Sequence, residues 1–136
     1  MKLFVDTWGW LAVADRSDPG HVAATEVFRK ARRSGGVVTS NFVLNETITL
    51  LFNRRPFGDA WHFTVSVVES PYIDVQEVTR PRFFRTIELR RQFSDKPKIS
   101  FTDLSTVAIM LELGITDILT ADRHFTQVGL GFRALS

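Results

Sequence analysis

Short apolar runs alternate with long stretches of helical spacing along most of the chain, and no other feature limits the possible folds as much. The runs are Lys2–Val5, Val37–Thr39, Pro71–Val75 and Asp117–Thr120, with a final edge segment inside 129–135. Hairpin turns cannot join strands so far apart. Strands separated by a dozen or so residues of helix need crossover connections, which are right-handed and favour parallel pairing. The expectation is an α/β domain of three layers, with a mostly parallel central sheet of about five strands flanked by helices.

The intervening segments carry helix signals. Trp8–Ala14 is a short apolar helix that ends before the Ser17-Asp-Pro-Gly20 turn. His21–Arg33 sets Val22, Val27 and Ala31 on one side, with Arg29, Lys30, Arg32 and Arg33 opposite, and closes at Gly35-Gly36. Ser40 or Asn41 can cap a third helix to about Asn53, with Val43, Thr47, Leu50 and Leu51 on neighbouring turns. Phe57–Glu69 and Thr79–Phe93 follow, the latter with Pro81 in its first turn and with Phe84, Ile87 and Leu89 predicted to face inward. Phe101–Leu113 is the most apolar helix and stops at Gly114.

Composition removes several classes of function. The 136 residues suit a single domain over 1–136 with one sizeable core. With no cysteine, there can be no disulfides, thiolate catalysis or cysteine-ligated metal. No run approaches the roughly 18 apolar residues of a membrane span, and Asp6 interrupts the opening run too early for a signal peptide. A cytoplasmic protein with no membrane partner is expected. The net charge of +2, with arginine dominating the cations, points only weakly to a polyanionic partner.

In open parallel sheets ligands bind beyond the carboxyl ends of the strands, which directs attention to Asp6 and Asp122. Two more acids stand out. Glu46 lies among apolar neighbours in Phe42-Val-Leu-Asn-Glu-Thr-Ile48, and Asp103 follows Ser100 at the head of the most apolar helix. Each has an ordinary explanation: a helix cap for Asp6, a solvated face for Glu46, a capping box for Asp103 with Ser100, a turn for Asp122. Four carboxylates converging on one cleft would instead repel one another unless cations neutralised them. Mg²⁺ or Mn²⁺ prefers such oxygen donors, and could activate water and stabilise charge on a phosphodiester. No HExxH spacing and no GxxxxGK[ST] phosphate loop is present.

The strand ending Val5-Asp6-Thr7, the helix carrying Glu46, the segment Ser100-Phe-Thr-Asp103 and the segment Leu119-Thr-Ala-Asp122 with Phe125 together resemble a PIN domain. More narrowly, nearly the whole chain is similar to the ribonuclease toxins of VapBC toxin–antitoxin pairs. The resemblance implies a metal-dependent endoribonuclease in which Asp6, Glu46, Asp103 and Asp122 are the catalytic, Mg²⁺- or Mn²⁺-holding acids. It also implies that Thr120 supports Asp122, with Thr7 and Ser100 in supporting positions, and that a small antitoxin occupies the groove.

Arg54, Arg55, Arg123 and His124 are candidate RNA contacts, although such charges more often form a solvated face. The other arginines of the middle segment, Arg80, Arg82, Arg85, Arg90 and Arg91, could line the same path. His21, His62 and His124 are scattered, and none is predicted to act as the general base. Three Trp and twelve Phe in so small a domain suggest an apolar surface for a homodimer. Two alternatives stand beside the toxin: a PIN-type nuclease of RNA processing, or of DNA, without an antitoxin, and a non-catalytic binding module of the same fold.

Overall fold

A computed structural model describes residues 2–136; Met1 lies outside the described residues. Five strands form one sheet: β1 (Leu3–Val5), β2 (Val37–Ser40), β3 (Ile73–Gln76), β4 (Asp117–Leu119) and β5 (Arg133–Leu135). Their order is β3-β2-β1-β4-β5 and every pairing is parallel, including the edge strand β5. The helices are α1 (Thr7–Ala14), α2 (His21–Ser34), α3 (Asn41–Arg54), α4 (Phe57–Glu69), α5 (Arg80–Gln92), α6 (Phe101–Leu113) and α7 (His124–Gln127). The sequence pattern did not indicate α7, because a single turn is too short to show periodicity.

The strand order places the functional edge. From β1 the chain steps to β2 and β3 in one direction, then returns over the sheet to β4 on the other side of β1. Crossovers of one hand running in opposite directions put their helices on opposite faces. The gap between β1 and β4 is therefore the topological switch point, where a crevice opens. Val5 is in register with Leu119, so Asp6 and Thr120 leave the sheet side by side.

β1 and β4 are buried along their whole length, as the continuous apolar runs require of a sheet covered on both faces. Phe4, Trp10, Leu104, Ile109, Met110 and Ile118 are almost fully enclosed in the core. Each such side chain contributes roughly 1.5–3 kcal/mol relative to exposure. Within α6 the run Leu104–Met110 is buried on every side, Ser105 and Thr106 included, which explains why its sequence is mostly apolar rather than amphipathic.

Gly9 sets how closely α1 approaches the sheet. A Cβ there would stand 2.7 Å from the Leu119 carbonyl oxygen and 2.9 Å from Val5 Cγ1. Only glycine lets the first turn of α1 rest on the β1–β4 seam, directly behind Asp6. Trp10 Nε1 then donates to Thr39 Oγ1 at 3.0 Å, and the Thr39 hydroxyl donates to the Val5 carbonyl at 3.0 Å, tying α1, β2 and β1 together.

Two helices face the core differently from the sequence expectation. In α2 Val22 is 80% exposed, and the buried positions are Ala24 and Ala31, whose small side chains permit close packing. In α5 Leu89 is buried as expected, but Phe84 and Ile87 point outward and Thr86 is buried in their place. Arg82 on the same helix pairs with Glu112 of α6 at 2.6 Å and donates to Gln76 and to the Glu77 carbonyl.

Candidate active site

All four singled-out acids line one cleft of about 350 Å³ at the carboxyl end of the sheet, together with Thr7, Ser100, Lys98 and His124. They arrive from four elements. Asp6 follows β1 and caps α1, with Oδ1 accepting from Gly9 N at 2.9 Å. Ser100 caps α6 by accepting from Asp103 N at 3.0 Å, which turns Asp103 toward the cleft from the helix's first turn. Capping and cleft position are thus compatible at Asp6, which caps α1, and at Asp103, whose amide Ser100 caps.

Thr120 joins the two sides. Its Oγ1 accepts from Asp122 N at 2.9 Å, while its hydroxyl interacts with the Asp6 side chain. The same side chain therefore orients the loop carrying Asp122 and supports Asp6. The link to Asp6 was not legible in the sequence, because it depends on the β1–β4 register.

Glu46 stands apart from the other three acids. It lies on the exposed side of α3, whose buried positions are Val43, Leu44, Thr47 and Leu51. Its apolar neighbours in sequence do not bury it, in keeping with the solvated helix face that was its ordinary explanation. It reaches the cleft from the solvent side.

His124 changes the chemistry expected from sequence. Its Nδ1 lies 3.2 Å from Asp103 Oδ2 and 3.0 Å from Asp122 Oδ1. Asp122 Oδ1 also accepts from His124 N at 2.9 Å, closing a two-residue turn that starts α7. The sequence named His124 only as a candidate RNA contact, and the structure places its ring among the acids. The signal was the Asp-x-His spacing just after a strand, which lets the carboxylate hold the backbone and the ring together.

Burial pushes the Asp6 carboxyl up to about 7; the Thr120 and Gly9 hydrogen bonds oppose this, and the charges of Asp103 and Asp122 add to it. Burial also raises Asp103, against the lowering effect of its bond to His124, with the Asp122 charge raising it further. The pocket thus holds carboxylates that are costly to ionise together, and a bound cation would relieve that cost. Ligand atoms of Asp103, Asp122 and His124 lie within 4.8 Å of one another, and Asp6 and Glu46 line the same space. An oxygen-rich set with one imidazole and no thiolate fits Mg²⁺ or Mn²⁺.

The structure does not bring the candidate arginines to this cleft. Arg54 is exposed at the far end of α3, and Arg55 sits between Asp15 and Asp59 at 3.7 and 3.6 Å. Arg55 lines a separate cavity of about 830 Å³ beside Trp10, Phe28 and Phe63. Arg123 is exposed next to Asp122 and does not line the cleft. Arg82 and Arg85 are occupied by Glu112 and Glu88, and Arg90 binds backbone carbonyls.

Known proteins match both the sequence and the fold. The PIN domain family model matches residues 3–130. The 23S rRNA-specific endonuclease VapC20 of Mycobacterium tuberculosis is 32% identical over 127 residues, covering 93% of this chain and 94% of that protein. The crystal structure of M. tuberculosis VapC20, described as a Sarcin-Ricin loop cleaving toxin, superposes with a TM-score of 0.83 at 29% identity, covering 93% of this chain and 95% of that one. VapBC2 from Rickettsia felis, bound to a DNA fragment from its promoter, aligns over 100% of both chains with a TM-score of 0.79 at 13% identity, a likeness of fold alone.

Proposed function

The chain belongs to the PIN-domain family, and on that premise we propose that it is a metal-dependent endoribonuclease, the toxin of a VapBC-type pair acting in the cytoplasm. The observation that carries this reading is the convergence of Asp6, Glu46, Asp103 and Asp122 on one cleft at the switch point of the sheet. The likeness to a 23S rRNA-specific endonuclease over nearly the full length supports RNA, and ribosomal RNA in particular, as the substrate class. Intact acids at all four positions argue against a non-catalytic module.

Asp6, Asp103 and Asp122 would hold a Mg²⁺ or Mn²⁺ ion, with Glu46 contributing from the solvent side. When bound, such an ion supplies Lewis-acid stabilisation of the charge developing on a phosphodiester and lowers the pKa of water. Thr120 keeps Asp6 and Asp122 at a fixed separation. The His124 imidazole, held at Nδ1 between Asp103 and Asp122, can carry a proton next to the reacting groups, a role that no carboxylate in the cleft has to fill. Trp8 and Leu11 form an apolar wall that limits water on one side.

A small antitoxin is the proposed partner, in keeping with a toxin of this type. A second copy of the chain is the other. Phe83, Phe84 and Ile87 of α5 are 40%, 50% and 43% exposed, a contiguous apolar face that water disfavours.

The test is cleavage of ribosomal RNA with Mg²⁺, with Mn²⁺ and with EDTA, comparing the wild type with Asp103→Asn. Cleavage is expected with either ion and lost with EDTA or the substitution, while circular dichroism stays unchanged. Cleavage that survives both would exclude the metal-dependent mechanism, and cleavage of DNA in preference to RNA would exclude the substrate class.

A further inference from the structure

The loop between α5 and α6 places one cation at the acidic cleft and fixes it there. Lys98 lines the cleft alongside Asp6, Glu46, Asp103 and Asp122. Among the described residues it forms no ion pair, whereas Lys96 on the same loop pairs with Asp95 at 2.9 Å. The other basic side chain of the cleft, His124, is held by two carboxylates. Lys98 is thus the cleft cation left available to an incoming anion.

Its position is set from behind by Arg90. One guanidinium donates to the Phe93 carbonyl at 2.8 Å, to the Lys96 carbonyl at 2.7 Å and to the Ile99 carbonyl. Those three acceptors bracket the loop on both sides of Lys98. Backbone bonds from Lys96 N to Phe93 O and from Ile99 N to Lys96 O tighten it, and Ile99 is buried. Ser100, the next residue, caps α6. Arg90 is half-buried, and its guanidinium carries enough N–H donors in a fixed fork to satisfy all three carbonyls at once.

We propose that Lys98 grips a backbone phosphate of the RNA beside the scissile bond, and that Arg90 is a positioning residue which holds Lys98 at the cleft. This rests on the nuclease reading above. A polyanion entering a pocket of four acids meets repulsion, and a cation at the rim offsets it for the phosphate flanking the reacting one. Such a contact carries no base information, so it would strengthen binding of any sequence equally.

The experiment measures kcat and KM for cleavage of an RNA oligonucleotide by the wild type, Lys98→Gln, Lys96→Gln, Arg90→Lys and the Arg90→Lys/Lys98→Gln double variant, with Mg²⁺, across a KCl series. Lys98→Gln is expected to raise KM by about 3–10-fold with kcat unchanged, and to reduce the salt slope of log kcat/KM by about 0.7, the value of one single-strand phosphate contact. Lys96→Gln removes the same charge from the same loop outside the cleft, and should leave both unchanged. Arg90→Lys keeps its charge but loses the three-carbonyl grip; it should lower the slope as Lys98→Gln does, and the double variant should lower it no further. An unaltered slope in Lys98→Gln, or an equal loss in Lys96→Gln, would overturn the phosphate contact while leaving the nuclease intact. Additive losses in the double variant would overturn the role of Arg90. A wild type that cleaves no RNA would overturn the nuclease reading and the Lys98 contact with it.

Discussion

Replacing Asp6 with asparagine should stabilise the ion-free protein while disabling its chemistry, and the size of the gain follows from the burial of this carboxyl. Asp6 is 5% exposed and its pKa is pushed from 3.8 up to about 7, with burial the leading cause. The folded state therefore binds a proton more tightly than the unfolded state between those values. Stability from this group is fully present below 3.8 and is lost as pH rises toward 7, the reverse of a salt-bridged aspartate. At 1.36 kcal/mol per pH unit the ceiling is about 4 kcal/mol above neutral pH, and relaxation around the charge brings the expected cost to about 2–4 kcal/mol. Asparagine is neutral at every pH and keeps an oxygen for the Gly9 amide. Urea unfolding in EDTA should find Asp6→Asn more stable than the wild type by that amount at about pH 8, and equal within about 1 kcal/mol at about pH 4. Mg²⁺ or Mn²⁺ should raise the stability of the wild type more than that of the variant. A gap that does not change with pH, or a variant less stable than the wild type at alkaline pH, would refute the claim that Asp6 is a strained buried charge.

Two further outcomes are expected. His124→Ala should lower kcat for RNA cleavage by about 10²-fold or more, the usual contribution of a proton-carrying side chain; a rate unchanged by the substitution would reduce His124 to a brace for Asp103 and Asp122. Phe84→Glu with Ile87→Glu should shift the protein from dimer to monomer in light scattering without lowering its melting temperature, since both side chains are exposed on α5; a wild type that is already monomeric would remove α5 as a self-association surface.

Much of the architecture was legible because strands and helices leave different periods in a sequence. The runs at Leu3–Val5, Val37–Ser40 and Asp117–Leu119 stand out because a strand buried on both faces has no polar alternation to blur it. Ser40 and Ser100 announce the starts of α3 and α6 because a hydroxyl at that position satisfies a free amide. The azimuth of a helix is less legible. Phe84 and Ile87 share a face at helical spacing, yet so do Thr86 and Leu89, and it is the packing of α5 against α6 that turns Thr86 and Leu89 inward.

The sequence by itself determined the alternating order of elements and the four acids just beyond strands or inside helices, since local backbone preference and hydrophobic period act over a few residues. The tertiary structure alone decided that Thr120 would link Asp6 to the Asp122 loop, that His124 would stand between two carboxylates, and that Lys98 rather than Arg54 or Arg55 would reach the cleft. The first depends on pairing β1 with β4, the second on packing α7 against α6, and the third on seating the α5–α6 loop beside the sheet edge. Contacts between different elements are set by register and packing, which no local pattern encodes.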